Sequence, residues 1–204
     1  TTAKLGKDTV HIGNETFMKA ALASIILLLA GRVSLCRPRM GVPNCTAHTF
    51  SQNVDHFGYD AAVGKYDQRY FTYDGFVESD PDTGLRQRPS VVFFYTGNED
   101  NVELYVNNTG LMWELGEKMN AMLVFAEHRY YGESSPSMGM PPSQRNPPQC
   151  LKYLTTENAI ADYATLIRHL RLGWGDTDND IPFIGFGGSY GGMLGAWLRM
   201  RFPD

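Results

Sequence analysis

A serine near the end of the chain is flanked by glycines two positions away on either side. The segment Gly187-Gly188-Ser189-Tyr190-Gly191 fits the pattern G-x-S-x-G, in which the serine is a catalytic nucleophile. The serine of this pattern lies in a strained turn between a strand and a helix, where side chains at the outer glycine positions would clash with neighbouring elements. The pattern predicts that Ser189 is a nucleophile; the alternative is a glycine-rich turn without chemistry.

A serine that attacks a carbonyl creates a negatively charged oxygen, which backbone N–H groups must stabilise. The N–H of Tyr190, at the start of the following helix, is the first predicted donor of this oxyanion hole. The second donor is expected in the loop after an earlier strand, which here reads "TGNED". The Gly97 or the Asn98 amide is the candidate, and an equal alternative is that Gly97 only permits a tight turn.

A serine nucleophile also needs a histidine base and a carboxylate, which hydrolases of this type carry after the serine in the chain. No histidine follows Ser189, and the only acidic residue that does is Asp204, at the last position. The histidines of the predicted mature region all lie upstream: His48, His56, His128 and His169. His128 and His169 are interpreted as structural. The sequence therefore predicts the N-terminal part of a longer hydrolase, inactive by itself and with a sheet edge left exposed.

Three short apolar runs, each typical of a strand buried on both faces, must position these residues. They begin the segments 90–97, 121–134 and 181–187. Helical spacing and stop signals predict helices over 109–120, 155–173 and 191–201. The alternating segment 68–76, which ends in an Asp-Gly turn, predicts antiparallel strands at one edge. The predicted fold class is α/β, a parallel sheet covered by helices on both faces.

The N-terminal region has the layout of a secretory signal peptide over residues 18–36, with a lysine, an apolar run and small residues. The apolar run from Ala20 to Ala30 has about 11 residues, too few to span a bilayer, so a membrane anchor is the weaker interpretation. Residues 1–17 are interpreted as read-through from upstream of the start codon. The predicted domain is 37–204.

Composition and charge exclude several classes of function. The net charge of −4 and the absence of a basic stripe argue against nucleic-acid binding. No Cys/His spacing suggests a metal, and no cofactor is predicted. In an oxidising compartment Cys45 and Cys150 could pair with each other or with other cysteines. Sequons at Asn44 and Asn107 predict N-glycosylation.

Long blocks of the chain resemble one family, the secreted and lysosomal serine peptidases that comprise Pro-X carboxypeptidase, dipeptidyl peptidase II and thymus-specific serine protease. The blocks are "FSQNVDHF", "QRYF", "FFYTGNED", "NNTGLMWELGE", "AMLVFAEHRYYGES", "LTTENAIADYATLIRHL" and "GGSYGGMLGAWLRMRFPD". Two of them, "NNTGLMW" and "AMLVFAEHRYYGES", look closer to the Pro-X carboxypeptidase branch. The resemblance covers nearly everything after the signal peptide.

The resemblance implies an α/β-hydrolase domain with a helical cap inserted after this region, and acyl-enzyme hydrolysis of peptides after proline at acidic pH. Ser189 matches the family's nucleophile, whereas its Asp and His match no position here. Asp100 stands where the family has glycine. Release of one C-terminal residue or of an N-terminal dipeptide, a lysosomal or an extracellular location, and a homodimer all stay open.

Two other classes of protein are weighed against the peptidase. A carboxylesterase or lipase would share the serine motif, but such enzymes usually carry an HGGG-type loop, and "YTGNED" is not one. A non-catalytic secreted glycoprotein is the alternative if the reading frame closes at Asp204.

Overall fold

A computed structural model describes residues 45–58, 63–138 and 149–203 of the chain. The predicted signal peptide, the segment before it, and Asn44 and Asp204 lie outside the described residues. Cys45 carries a free thiol in the described part of the chain, and the side chain of Cys150 lies outside it, so their predicted pairing is not tested.

Five strands and four α-helices form the described fold. The strands are β1 (Thr46–Asn53), β2 (Lys65–Tyr73), β3 (Val92–Thr96), β4 (Met122–Ala126) and β5 (Phe183–Phe186). The helices are α1 (Val102–Asn108), α2 (Gly110–Met119), α3 (Thr156–Gly173) and α4 (Ser189–Arg201), with short 3₁₀ turns at Pro136–Met138 and Gln149–Tyr153.

The sheet has the order β1-β2-β4-β3-β5. Strands β4, β3 and β5 run parallel, with Thr96 opposite Ala126 and Tyr95 opposite Phe186. Strands β1 and β2 pair antiparallel at the other edge. The α/β class, the parallel core and the antiparallel edge are therefore confirmed.

Strands β3 and β4 lie in the centre of the sheet and are covered on both faces. Side chains such as Phe94 and Val124 face a core shared with α3 and α4, and Phe93 and Leu123 face a core that includes Val102 of α1. Because both faces are buried, these strands are continuously apolar, as the sequence predicts.

The interpretation of 181–187 as a strand buried on both faces is wrong for β5. This strand lies at the edge of the described sheet with only β3 beside it, and Ile184 is 39% exposed. Next to it, α4 carries three exposed apolar side chains, Met193, Trp197 and Met200. Their spacing of four and three residues places them on one face of the helix.

Helix ends follow local chemistry. The Thr155 hydroxyl accepts a 3.2 Å hydrogen bond from the Asn158 N–H at the start of α3, and Asn120 ends α2 in the left-handed conformation. Helix α1, capped by the Asn101 side chain, is not predicted from the sequence because seven residues are too few to establish a helical period. No helix in the described ranges has both the length and the apolar character needed to cross a membrane.

Candidate active site

The candidate site lies where three neighbouring parallel strands end. Asn98 follows the end of β3, His128 follows β4, and Ser189 follows β5. Ligands of open α/β sheets bind outside the carboxyl ends of the strands. The topology thus brings together segments that are far apart in the chain.

Ser189 is the first residue of α4 and has a φ of 51°, the left-handed conformation that non-glycine residues rarely adopt. The flanking glycines permit this turn. An ideal Cβ at Gly187 would lie 2.5 Å from the Gly191 carbonyl oxygen, and one at Gly191 would lie 2.5 Å from the Thr96 carbonyl oxygen. The predicted strained turn between strand and helix is present, and strain of this kind clusters at functional sites.

Gly188 differs from the other two glycines of the motif. Its backbone is extended (φ −114°, ψ 148°), and the nearest atom to an ideal Cβ is the Tyr95 hydroxyl at 3.8 Å. An alanine would therefore fit at this position.

Strand β3 holds the turn from the other side. The Thr96 hydroxyl lies 2.7 Å from the Gly191 carbonyl oxygen and 3.0 Å from the Phe186 carbonyl oxygen, so its single proton is shared between the two. Through Thr96, both ends of the serine turn are connected to the strand that precedes the predicted oxyanion loop.

The N–H groups near Ser189 divide into occupied and available donors. The Gly97 N–H donates a 3.0 Å hydrogen bond to the Ala126 carbonyl oxygen, so the oxyanion role predicted for Gly97 conflicts with the structure. An ideal Cβ at Gly97 would lie 2.4 Å from that same oxygen, which supports the tight-turn interpretation. Within residues 45–58, 63–138 and 149–203, the N–H groups of Asn98 and Tyr190 have no acceptor.

The loop that carries Asn98 is anchored on two sides. The Tyr163 hydroxyl, fully buried on α3, donates a 2.6 Å hydrogen bond to the Gly97 carbonyl oxygen. Burial raises the pKa of Tyr163 well above its usual range, so this hydroxyl keeps its proton. The Asn98 side chain lies against the start of α4, with Oδ1 3.2 Å from an ideal Cβ at Gly191.

A buried ion pair lies beneath the end of β4. Arg129 Nε and Nη2 donate to Asp162 Oδ2 and Oδ1 at 2.7 and 2.8 Å, and Nη1 donates to the Val54 and Tyr153 carbonyl oxygens. Asp162 also accepts from the Tyr66 hydroxyl at 2.7 Å. His56 Nε2, 2.7 Å from Oδ1, is the fourth polar contact of the Asp162 carboxylate, so the buried charge is fully paired and the end of β4 is connected to α3.

A second buried carboxylate, that of Glu127, directly follows β4. Glu127 accepts from Arg69 Nη2 at 2.8 Å, from the Ser134 hydroxyl at 2.7 Å and from the Val102 N–H at 3.1 Å. The segment after β4, interpreted from the sequence as a polar loop, is therefore polar but buried. In the sequence, the charged residues Glu127 and Arg129 directly after an apolar strand are the signal from which this buried network could be predicted.

Three of the four histidines in the described ranges make their contacts away from the serine. His48 Nε2 lies 2.8 Å from the Thr72 hydroxyl, His56 Nε2 lies 2.7 Å from Asp162 Oδ1, and His169 stacks on Phe50. No histidine within the described ranges lies at hydrogen-bond distance from the Ser189 hydroxyl. The same part of the chain contains no group of three or more His, Cys, Asp or Glu residues that could hold a metal ion.

Of the two predicted glycosylation sites, one can be placed. Asn107 is exposed at the end of α1, and its Nδ2 donates 2.8 Å to the Glu103 carbonyl oxygen. Its modification stays a prediction.

The sheet order, together with a strained serine between its edge strand and a helix, defines an α/β-hydrolase fold with a nucleophile turn. The sequence profile of the family described as Serine carboxypeptidase S28 matches residues 52–204. The chain belongs to this family of serine peptidases.

Individual relatives agree with this membership. Lysosomal Pro-X carboxypeptidase of Homo sapiens is 44% identical over 154 residues, which are 76% of this chain and 28% of that protein. The Mus musculus protein of the same name is 40% identical over 200 residues, 90% of this chain and 38% of its own length. Prolyl carboxy peptidase like protein 5 of Caenorhabditis elegans is 32% identical over 184 residues, 88% of this chain and 36% of that protein. The chain thus spans well under half the length of these curated relatives.

Proposed function

We propose that the complete protein is a serine exopeptidase that hydrolyses peptide bonds after proline, with Ser189 as its nucleophile. The observation that carries this proposal is the strained φ of 51° at Ser189, next to the available N–H groups of Tyr190 and Asn98. The names of the Homo sapiens and Mus musculus relatives support proline as the residue before the cleaved bond. The histidine and aspartate that such a serine needs would come from outside these 204 residues.

In the proposed reaction, the Ser189 hydroxyl oxygen attacks the prolyl carbonyl carbon while its proton passes to the histidine base. The carbonyl oxygen becomes an oxyanion and accepts hydrogen bonds from the Tyr190 and Asn98 N–H groups. The amine leaves with the proton that the histidine returns, which forms an acyl-enzyme. Water then hydrolyses the ester and regenerates the serine.

Removal of one C-terminal residue is the favoured specificity, because the Homo sapiens and Mus musculus relatives, 44% and 40% identical, are named Pro-X carboxypeptidases. Release of an N-terminal X-Pro dipeptide is the alternative. The relatives' names and the predicted signal peptide also support a lysosomal or secreted location. Peptides with proline at the cleaved bond are the proposed substrates.

The test begins with extension of the reading frame beyond Asp204 and expression of the complete protein. A fluorophosphonate probe, which phosphonylates nucleophilic serines with loss of fluoride, should label the protein, and Ser189→Ala should abolish labelling. Ser79→Ala is the matched control and should label normally, because Ser79 is exposed, forms an isolated β-bridge with Arg86 and is remote from Ser189 in sequence.

Specificity is tested on two peptides at acidic pH. An N-terminally blocked peptide with proline in the penultimate position reports carboxypeptidase activity, and an X-Pro amide with a free N-terminus reports dipeptidyl peptidase activity. We expect cleavage of the first. A folded protein that neither labels nor cleaves would contradict the catalytic proposal and favour a non-catalytic secreted glycoprotein.

A further inference from the structure

His128 is a buried imidazole beside the nucleophile turn that the proposed mechanism does not use. It is 1% exposed, and its ring contacts the Tyr190 ring, with 5.6 Å between centroids and an interplanar angle of 55°. A second ring, that of Tyr131, packs against it at 5.3 Å. Tyr190 directly follows the nucleophile, so His128 contacts the residue whose N–H is the candidate oxyanion donor.

The hydrogen bonds of His128 define its protonation state. Nδ1 lies 2.7 Å from the Arg129 carbonyl oxygen, which can only accept, so Nδ1 carries the proton. Nε2 then carries a lone pair that is buried and has no hydrogen-bond partner within the described residues. Burial lowers the pKa of His128, which favours this neutral form. Arg129, Asp162 and Glu99 are the charged groups that act on the ring, and Tyr131 and Tyr190 pack against it.

The position of His128 is set by the rigid network beneath it. Its acceptor, the Arg129 carbonyl, belongs to the residue that is locked by the buried ion pair with Asp162. On the other side, the Tyr190 hydroxyl lies 3.3 Å from the Thr156 hydroxyl at the start of α3. The Tyr190 side chain is thus held between a fixed imidazole and the first turn of a helix.

Within the described residues Nε2 makes no hydrogen bond, so the His128 ring is held by its Nδ1 bond to the Arg129 carbonyl oxygen and by the Tyr131 and Tyr190 rings. The contact between the His128 and Tyr190 rings connects His128 to the residue that carries the candidate oxyanion donor. Catalytic groups keep their geometry when the residues packed behind them are fixed.

We propose that His128 is a positioning residue of the Ser189 site, whose neutral ring fixes the Tyr190 side chain and so aims the Tyr190 N–H at the oxyanion. This inference rests on the proposed function. It predicts that His128 acts on the transition state rather than on substrate binding, because the oxyanion forms only during the reaction.

The first experiment replaces the ring in the complete protein. His128→Asn retains an amide donor near the Nδ1 position but removes the contact with Tyr190. We expect kcat to fall about 10-fold with KM changed less than about 2-fold, and the rate of fluorophosphonate labelling to fall by the same factor. His169→Asn is the matched control, since it also removes a stacked imidazole but on the exposed side of α3, and kcat should not change.

A second variant keeps the test independent of folding. His128→Phe retains a ring against Tyr190 without nitrogens, so kcat should stay within about 3-fold of the wild type, with Tm measured for every variant. A Phe variant that folds but is as impaired as the Asn variant would overturn ring packing as the mechanism.

A double-mutant cycle with Tyr190→Ala tests the route of the effect. That variant keeps the backbone N–H but removes the contacted ring, so adding His128→Asn should lower kcat no further. Multiplied losses, or an unchanged kcat in His128→Asn, would overturn this inference alone while labelling of Ser189 persists. A folded wild type that the probe does not label would overturn the proposed function, and this inference with it.

Discussion

The hydroxyl of Tyr163 donates a 2.6 Å hydrogen bond to the carbonyl oxygen of Gly97, a residue 66 positions earlier in the chain. The residue before Tyr163 is Asp162, which pairs with Arg129 after β4. Two consecutive residues of α3 therefore hold the ends of two neighbouring strands. Helix α3 acts as the frame on which the candidate oxyanion loop is built.

Removal of the Tyr163 hydroxyl should loosen this loop. We expect Tyr163→Phe to lower the free energy of unfolding by about 1–3 kcal/mol, because the buried Gly97 carbonyl loses its donor. The kcat of the complete protein should also fall. Tyr70→Phe is the control, since the hydroxyl of this buried tyrosine has no hydrogen-bond partner in the described part of the chain. Urea denaturation that gives equal losses for both variants would contradict the assigned role.

The two kinds of glycine in the serine turn should respond differently to an added methyl group. Gly191→Ala places a Cβ 2.5 Å from the Thr96 carbonyl oxygen, and neither backbone segment can yield easily. We expect a loss of about 1–3 kcal/mol or more in the free energy of unfolding. Gly188→Ala, whose nearest neighbour is 3.8 Å away, should fold with nearly wild-type stability. Thermal unfolding of both variants tests this difference, and an equal loss of stability in the two would contradict it.

The buried ion pair should be far more sensitive to neutralisation than an exposed one. Asp162→Asn leaves the buried Arg129 without its counter-charge, and we expect a loss of about 3–5 kcal/mol. Glu103→Gln is the matched change at an exposed carboxylate that pairs with Arg69, and it should cost less than about 1 kcal/mol. The midpoints of chemical denaturation measure both, and similar shifts would show that burial does not govern these pairs.

Stability should depend on pH through two histidines, the buried His128 and the half-buried His48. Burial lowers the pKa of His128 and that of His48 in the folded state. At a pH between each folded-state pKa and the ordinary value of about 6.5, the unfolded chain therefore binds more protons than the folded protein. The free energy of unfolding should therefore fall as pH drops below about 6.5 and level off, for these groups, below their folded pKa values. In His128→Phe the slope should be smaller than in the wild type. An unchanged slope would show that His128 does not titrate as its burial implies.

Sequence patterns anticipated the parts of this fold that local chemistry controls. The apolar runs at β3 and β4 and the cap of α3 at Thr155 depend on residues within a few positions of each other. Helix α1 is too short for a helical period to show in the sequence, and the apolar pattern of β5 does not reveal that this strand lies at the edge of the described sheet.

The sequence by itself determined the nucleophile turn and the family. Glycines two residues either side of Ser189 leave room for a left-handed serine, and that steric requirement is visible in five consecutive letters. Only the tertiary structure decided that the Gly97 N–H is occupied and the Asn98 N–H is available, because that depends on the pairing of Thr96 with Ala126. The same holds for His128, whose environment comes from contacts distant in the chain. Such contacts arise when strands align in register, and no local pattern encodes them.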